Sequence, residues 1–148
     1  MSLYEKLRTS MQNSLRAGDR DSVRTLRTLL AKLKEGMIAK GSDLSEDEES
    51  RVLQKAASQR REAIELYRNG GREDLATAEL SELVIIESYL PEQLTPDELA
   101  TIVDEVIQES GATSLKDMAK VMPILMRKTA GRTDGKMVQQ LVREKLTE

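Results

Sequence analysis

The chain has 148 residues, 39% of them hydrophobic and 33% charged, a formal net charge of −3, and neither cysteine nor histidine. Those two absences remove disulfides, thiol nucleophiles, Ser-His-Asp relays and every zinc site built on Cys or His. The only aromatics are Tyr4, Tyr67 and Tyr89, so a core must be assembled from Leu, Ile, Val, Met and Ala, which suits packed helices.

Ser2 and Glu5 have the spacing of a capping box, and Leu3, Leu7, Met11 and Leu15 follow at every fourth position until Gly18, predicting a short first helix. Asp19 caps a second helix, with Val23, Leu26, Leu30, Leu33 and Met37 as its apolar positions and Gly41 as its stop. Its other faces carry Arg20, Arg24, Arg27, Lys32 and Lys34. Residues 41–49, GSDLSEDEE, form an acidic turn ending in a second capping pair, Ser45 and Glu48. A third helix starts there and runs its apolar side through Val52, Leu53, Ala56, Ala57, Ala63, Ile64 and Tyr67 to Gly70-Gly71. A fourth, from about Arg72, carries Leu75, Leu80, Leu83, Ile86 and Leu90. Val84 and Ile85 widen its apolar surface and predict deeper burial, at the centre of the N-terminal half. Val84-Ile85-Ile86 could also be read as a strand, but the surrounding glutamates, leucines and alanines favour helix.

Pro91 interrupts the pattern, and Thr95-Pro96-Asp97-Glu98 combines an N-cap, a first-position proline and a third-position acid. The fifth helix uses Leu99, Ile102, Val103, Val106 and Ile107 and ends at Gly111. A sixth begins near Ser114 with Leu115, Met118, Val121 and Met122, and Pro123 is expected to kink or restart it. Asp134 caps a last helix whose stripe is Met137, Val138, Leu141, Val142 and Leu146. Met118, Met122, Met126 and Met137 could line a flexible partner groove, but at helical spacing they read as core filler. The expected fold class is all-α, without strand alternation or internal repeats. Two helical domains are expected, 1–91 with about four helices and 95–148 with about three, the linker falling at 91–95.

Charge is unevenly distributed. Residues 92–110 hold six acids and no base, 115–146 hold eight bases against three acids, and 5–40 hold nine bases against four acids. Long basic side chains on a solvated helix face account for such clusters as readily as a ligand site does. The turn Gly131-Arg132-Thr133-Asp134-Gly135-Lys136 tilts the reading toward function. Its glycines permit close backbone approach, the following helix N-terminus attracts phosphate, and Lys120, Arg127, Lys128 and Lys136 could gather beside it. A second basic surface is expected on helices one and two. Without Phe or Trp, stacking of unpaired bases is a poor prospect, so recognition would go through backbone and shape, as for structured RNA, and would be salt-sensitive. Asp117 and Asp134 lie beside lysines and are candidate acid–base groups, but both sit at helix N-termini, where capping explains them. No phosphate-binding loop or dinucleotide fingerprint is present, so neither cofactor nor metal is expected. No apolar run approaches the roughly 20 residues of a membrane span, and MSLYEKLRTS lacks a secretory apolar stretch, so a cytoplasmic location without membrane partners is expected.

Asp117-Met118-Ala119-Lys120-Val121-Met122 and Gly131-Arg132-Thr133-Asp134-Gly135-Lys136-Met137-Val138 resemble the C-terminal signature of the GatB/YqeY family. Upstream, Leu53-Gln54-Lys55, Gln59-Arg60-Arg61-Glu62-Ala63, Gly71-Arg72-Glu73-Asp74-Leu75 and Tyr89-Leu90-Pro91-Glu92-Gln93-Leu94 are similar to that family in the same order, so the resemblance covers essentially the whole chain. It implies a stand-alone relative of the helical tail of the B subunit of tRNA-dependent glutamine amidotransferases, a tail that helps engage tRNA. The amidation chemistry belongs to other parts of those enzymes, and similar modules are appended to a glutaminyl-tRNA synthetase. The implied function is a non-catalytic RNA-binding module. Its partners would be tRNA or another structured RNA, with an aminoacyl-tRNA synthetase or an amidotransferase. The alternatives are an accessory component of a carbon–nitrogen ligase with glutamine as amido-N-donor, and a protein-interaction adaptor. Carried over by position, the matching residues are Lys120, Lys128, Gly131, Arg132, Asp134, Gly135 and Lys136; the expected RNA-binding set takes all of these but the cap Asp134 and adds Arg127. Two departures leave the path of the sixth helix open: Ala119 stands where the family commonly has glycine, and Arg127 where proline is common, with Pro123 four residues earlier.

Overall fold

Local capping sets most of the helix boundaries. The computed structural model describes residues 2–147, and every regular element among them is helical: α1 Leu3–Ala17, α2 Arg20–Lys40, α3 Glu46–Asn69, α4 Glu73–Glu87, α5 Pro96–Ser110, α6 Met118–Lys128 and α7 Gly135–Thr147. A short 3-10 turn, Leu115–Asp117, precedes α6. The all-α reading therefore holds, and Val84–Ile86 lies within α4. Ser2 with Glu5, Ser45 with Glu48 and Thr95 with Glu98 each form reciprocal capping boxes. Asp19 accepts from the Ser22 backbone N–H at the start of α2. Gly18, Gly41 and Gly111 close α1, α2 and α5 at positive φ, a conformation that side chains with a Cβ resist.

The chain divides into two compact units, Met1–Pro91 and Glu92–Glu148. In the first, α1 packs on α2 and α3 on α4, while α2 touches both helices of the second pair. The core is aliphatic, built on Leu7, Leu26, Leu29, Leu33, Leu53 and Ile86. Two buried or half-buried polar devices accompany it. Glu49 of α3 is 7% exposed and accepts from the Tyr4 backbone N–H at 3.3 Å, so it satisfies one of the four donors that the first turn of α1 leaves without an intrahelical partner. Arg60 of α3 reaches Glu82 (2.8 Å) and Glu79 (3.5 Å) of α4, and Arg61 reaches Glu87 (3.1 Å).

Several expectations for this unit are corrected. A four-residue repeat overshoots the 3.6-residue turn by about 40° per step. Of Leu3, Leu7, Met11 and Leu15, only Leu7 is fully buried, and Leu15 is 54% exposed. The extra apolar surface of α4 is only partly buried: Ala76, Leu83 and Ile86 face the core and Ile85 packs against it half-buried, whereas Val84 is 61% exposed and Leu80, one turn earlier, is also exposed. Leu29, absent from the expected stripe of α2, is buried; it completes the i, i+3, i+4, i+7 set with Leu26, Leu30 and Leu33.

In the second unit α5, α6 and α7 pack against one another. Leu99, Val103 and Val106 of α5 meet Val121 and Leu125 of α6 and Val138, Val142 and Leu146 of α7. The sixth helix does not restart at Pro123. The proline lies inside α6, one turn and a half from its start, and is exposed. Its ring displaces a hydrogen bond only to the Ala119 carbonyl, near the helix start where solvent can reach. Met118 and Met122 pack on the core as expected, but Met126 and Met137 are exposed large apolar residues.

The acidic turn between α2 and α3 supplies a measurable consequence. The Lys40 ammonium and the Ser45 backbone and hydroxyl groups hold the Glu48 carboxyl down to about 2 from an ordinary 4.5. Because the folded value lies below the ordinary one, this contribution to stability is complete above about pH 4.5 and is lost as pH falls through about 2. Carboxyl-carbon NMR titration is expected to show Glu48 titrating well below the ordinary 4.5, and Lys40→Ala is expected to raise it. A wild-type Glu48 that titrates at the ordinary value would contradict this.

Candidate nucleic-acid interface

The turn between α6 and α7 is built by chain stereochemistry before charge enters. Thr129 ends α6 buried, with its hydroxyl donating to the Leu125 carbonyl at 2.8 Å. The Arg132 N–H then returns to the Thr129 carbonyl (2.9 Å). Gly131 sits at the third position of this turn with φ +75°, the position where a type II turn requires glycine or asparagine. Asp134 accepts from the Lys136 backbone N–H at 3.0 Å and its carbonyl accepts from Met137 and Val138, so it caps α7.

Three long-range hydrogen bonds fasten this turn to the segment leading into α5. The Leu94 N–H donates to the Arg132 carbonyl (2.8 Å), the Gln93 amide nitrogen to the Gly131 carbonyl (2.9 Å), and Arg132 Nε to the Glu92 carbonyl (3.1 Å). Arg132 also stands close enough to Glu98 to help hold that carboxyl below its ordinary value, after the larger effect of the Thr95 backbone and hydroxyl bonds. The Arg132 guanidinium therefore lies beside the start of α5 rather than standing off the turn.

The remaining expected residues fall in different settings. Lys120 and Arg127 are both exposed and seven residues apart on α6, so they share one helix face about two turns in length. Lys120 stands near Asp117, whose carboxyl is held below its ordinary value mainly by the Thr113 and Ser114 backbone N–H groups (2.9 and 3.3 Å). Lys128 points to another side of α6 and comes within 3.8 Å of Glu109 on α5. Lys136 is exposed in the first turn of α7. A Cβ on Gly135 would lie 3.2 Å from Met126 Cε, so the methionine covers that side of the glycine. Both aspartates considered as acid–base candidates hold backbone N–H groups in the manner of caps. Gln93 is the contact that sequence reasoning missed: it sits in the family-like Tyr89–Leu94 motif, but nothing in its type announces a partner 38 residues away.

Among the described residues no helix is long and apolar enough to cross a membrane, and no group of acidic residues has metal-binding geometry. A family model described as Yqey-like protein matches residues 4–146. Among curated proteins nothing matches the chain.

The clasp predicts a local effect. Gly131→Ala forces a Cβ into left-handed backbone at a cost of roughly 1–2 kcal/mol. Gln93→Ala removes one hydrogen bond worth about 1 kcal/mol. Each is expected to speed amide exchange at Leu94 while leaving the Leu29 amide of α2 unaffected. Equal acceleration at both amides, or none at Leu94, would show that the turn is not held this way.

Proposed function

We propose, from the premise that the chain belongs to the YqeY-like protein family, that it is a non-catalytic RNA-binding module that grips tRNA or a similarly structured RNA through its second unit. The observation that carries the reading is the hydrogen-bonded clasp at 131–132. A basic loop free to move would lose conformational entropy when it ordered on a ligand, whereas a turn fixed at both ends has that cost met in folding. Arg127 in the last turn of α6 and Lys136 in the first turn of α7 flank this turn along the chain, and Lys120 lies about two helical turns back from Arg127 on the same exposed face of α6. These are the proposed phosphate-binding cations. Arg132 acts chiefly as the staple that holds the turn, and Lys128, within 3.8 Å of Glu109, is a further exposed cation on α6. Recognition is by backbone and shape, since Phe and Trp are absent.

The test is tRNA affinity measured across salt concentrations. Wild type is expected to bind with a steep negative dependence of log K on log salt. Lys120→Ala, Arg127→Ala and Lys136→Ala together should flatten it by roughly 0.7–0.9 for each phosphate no longer neutralised. Arg132→Lys should lower affinity with a smaller change in slope. Absence of binding at low salt, or a triple variant indistinguishable from wild type, would overturn the proposal.

A further inference from the structure

The first unit carries a feature that the RNA reading does not use. At the corner where α1 turns into α2 lies an open cleft of about 450 Å³, within the roughly 300–1,000 Å³ typical of ligand pockets. Leu15, with the buried Val23 behind it, forms its apolar part, the α1–α2 turn at Gly18 borders it, and Arg20, Arg24 and Arg27 stand along its α2 side against one carboxylate, Asp19. The three arginines recur at i, i+4 and i+7, so they share one face of α2.

Their electrostatic settings differ. Arg24 is engaged by Asp21 (2.9 Å) and lies 3.8 Å from Glu82. Arg20 and Arg27 enter no ion pair among the described residues and remain exposed about two turns apart. Leu15, 54% exposed, is the last member of the α1 repeat and has rotated off the core into the cleft. Two guanidiniums outside any ion pair among the described residues and an accessible leucine thus line one cleft, a mixed surface. It offers planar bidentate donors to carboxylates and an apolar contact beside them.

We propose that this cleft is a docking site for an acidic amphipathic segment of a partner protein, one that seats an apolar side chain against Leu15 and Val23 and places carboxylates on Arg20 and Arg27. Charge complementarity and the apolar contact together select that occupant. A nucleic-acid backbone would satisfy the guanidiniums but has no group that gains from covering a leucine, and base stacking has no aromatic to use here. Arginine is also among the residue types enriched at protein interfaces. The proposal concerns a surface on the first unit and stands independently of tRNA binding by the second.

The probe is a fluorescein-labelled helical peptide with leucine at every fourth position and glutamate on its other exposed positions, followed by anisotropy with the full chain. A peptide carrying lysine for glutamate and a labelled RNA hairpin serve as comparisons. Wild type should bind the acidic peptide and not the basic one. Arg20→Glu with Arg27→Glu, and separately the neutral Leu15→Ser, should each weaken binding by about tenfold or more. All three positions are exposed, and circular dichroism of each variant checks that its helices are kept. The decisive variant is Leu15→Ser, because removing an apolar side chain harms the peptide but not a phosphate ligand. Failure of the acidic peptide to bind at low salt overturns the proposal. So does peptide binding unaffected by Leu15→Ser, or a cleft whose arginines are needed by the hairpin and not by the peptide.

Discussion

Three hydrogen bonds between residues 92–94 and the turn at 131–132 are the constraint on which the exposed chemistry of the second unit depends. They join chain segments about 38 to 40 residues apart and fix where α6 ends relative to the start of α5. The aliphatic core brings the three helices together, but apolar contacts are non-directional and do not by themselves set the position of a turn. Backbone carbonyls at Glu92, Gly131 and Arg132 do, because each must find a donor in defined geometry. Arg132 is suited to this role. Its guanidinium supplies a planar donor to a carbonyl while its charge stays beside Glu98, so one side chain links turn, segment and helix start.

The first unit shows why counting charges along a sequence misstates the charge a partner meets. The Gln59–Ala63 stretch looks as basic as the C-terminal turn, yet Arg60 and Arg61 lie against Glu79, Glu82 and Glu87 of α4. They hold two helices in register. Arg20 and Arg27, which belong to none of the family-like motifs, remain exposed beside a cleft. A motif can therefore mark internal electrostatics while the accessible cations lie elsewhere.

What was legible in the residues follows the range of the physics involved. Capping boxes at Ser2, Ser45 and Thr95 and the glycine stops at 18, 41 and 111 are local, so they could be read directly and they fall where expected. Burial is less local. The repeat Leu3–Leu15 looks like a stripe, but its drift around the helix leaves Leu15 outside the core, and the apolar width of α4 is a property of composition that packing does not use at Val84. Met126 shows the same limit, for it lies over Gly135 at the surface instead of filling the interior. Pairings such as Gln93 with Gly131 could not be read at all, since neither residue type specifies a partner and only tertiary folding sets their distance. Of the candidate turn, the glycine at 131 and the cap at Asp134 could be read from the residues, whereas the bond from Arg132 to the Glu92 carbonyl could not.

The charge asymmetry of the second unit also changes meaning once folded. Six acids fall in 92–110 and eight bases in 115–146, and side by side they could simply neutralise one another. Some do: Lys145 meets Asp104 at 2.6 Å and Lys128 approaches Glu109. Lys120 and Arg127, however, share an exposed face of α6, while Asp97, Asp104 and Glu105 are exposed on α5. The unit thus pairs part of its charge between helices and leaves part exposed, and salt at physiological strength, with a Debye length of about 8–10 Å, attenuates the field of the exposed part without erasing it. A modest net charge does not by itself decide how such a surface meets a polyanion, because the local field at an exposed face depends on which charges stand there unpaired and not on the sum over the chain.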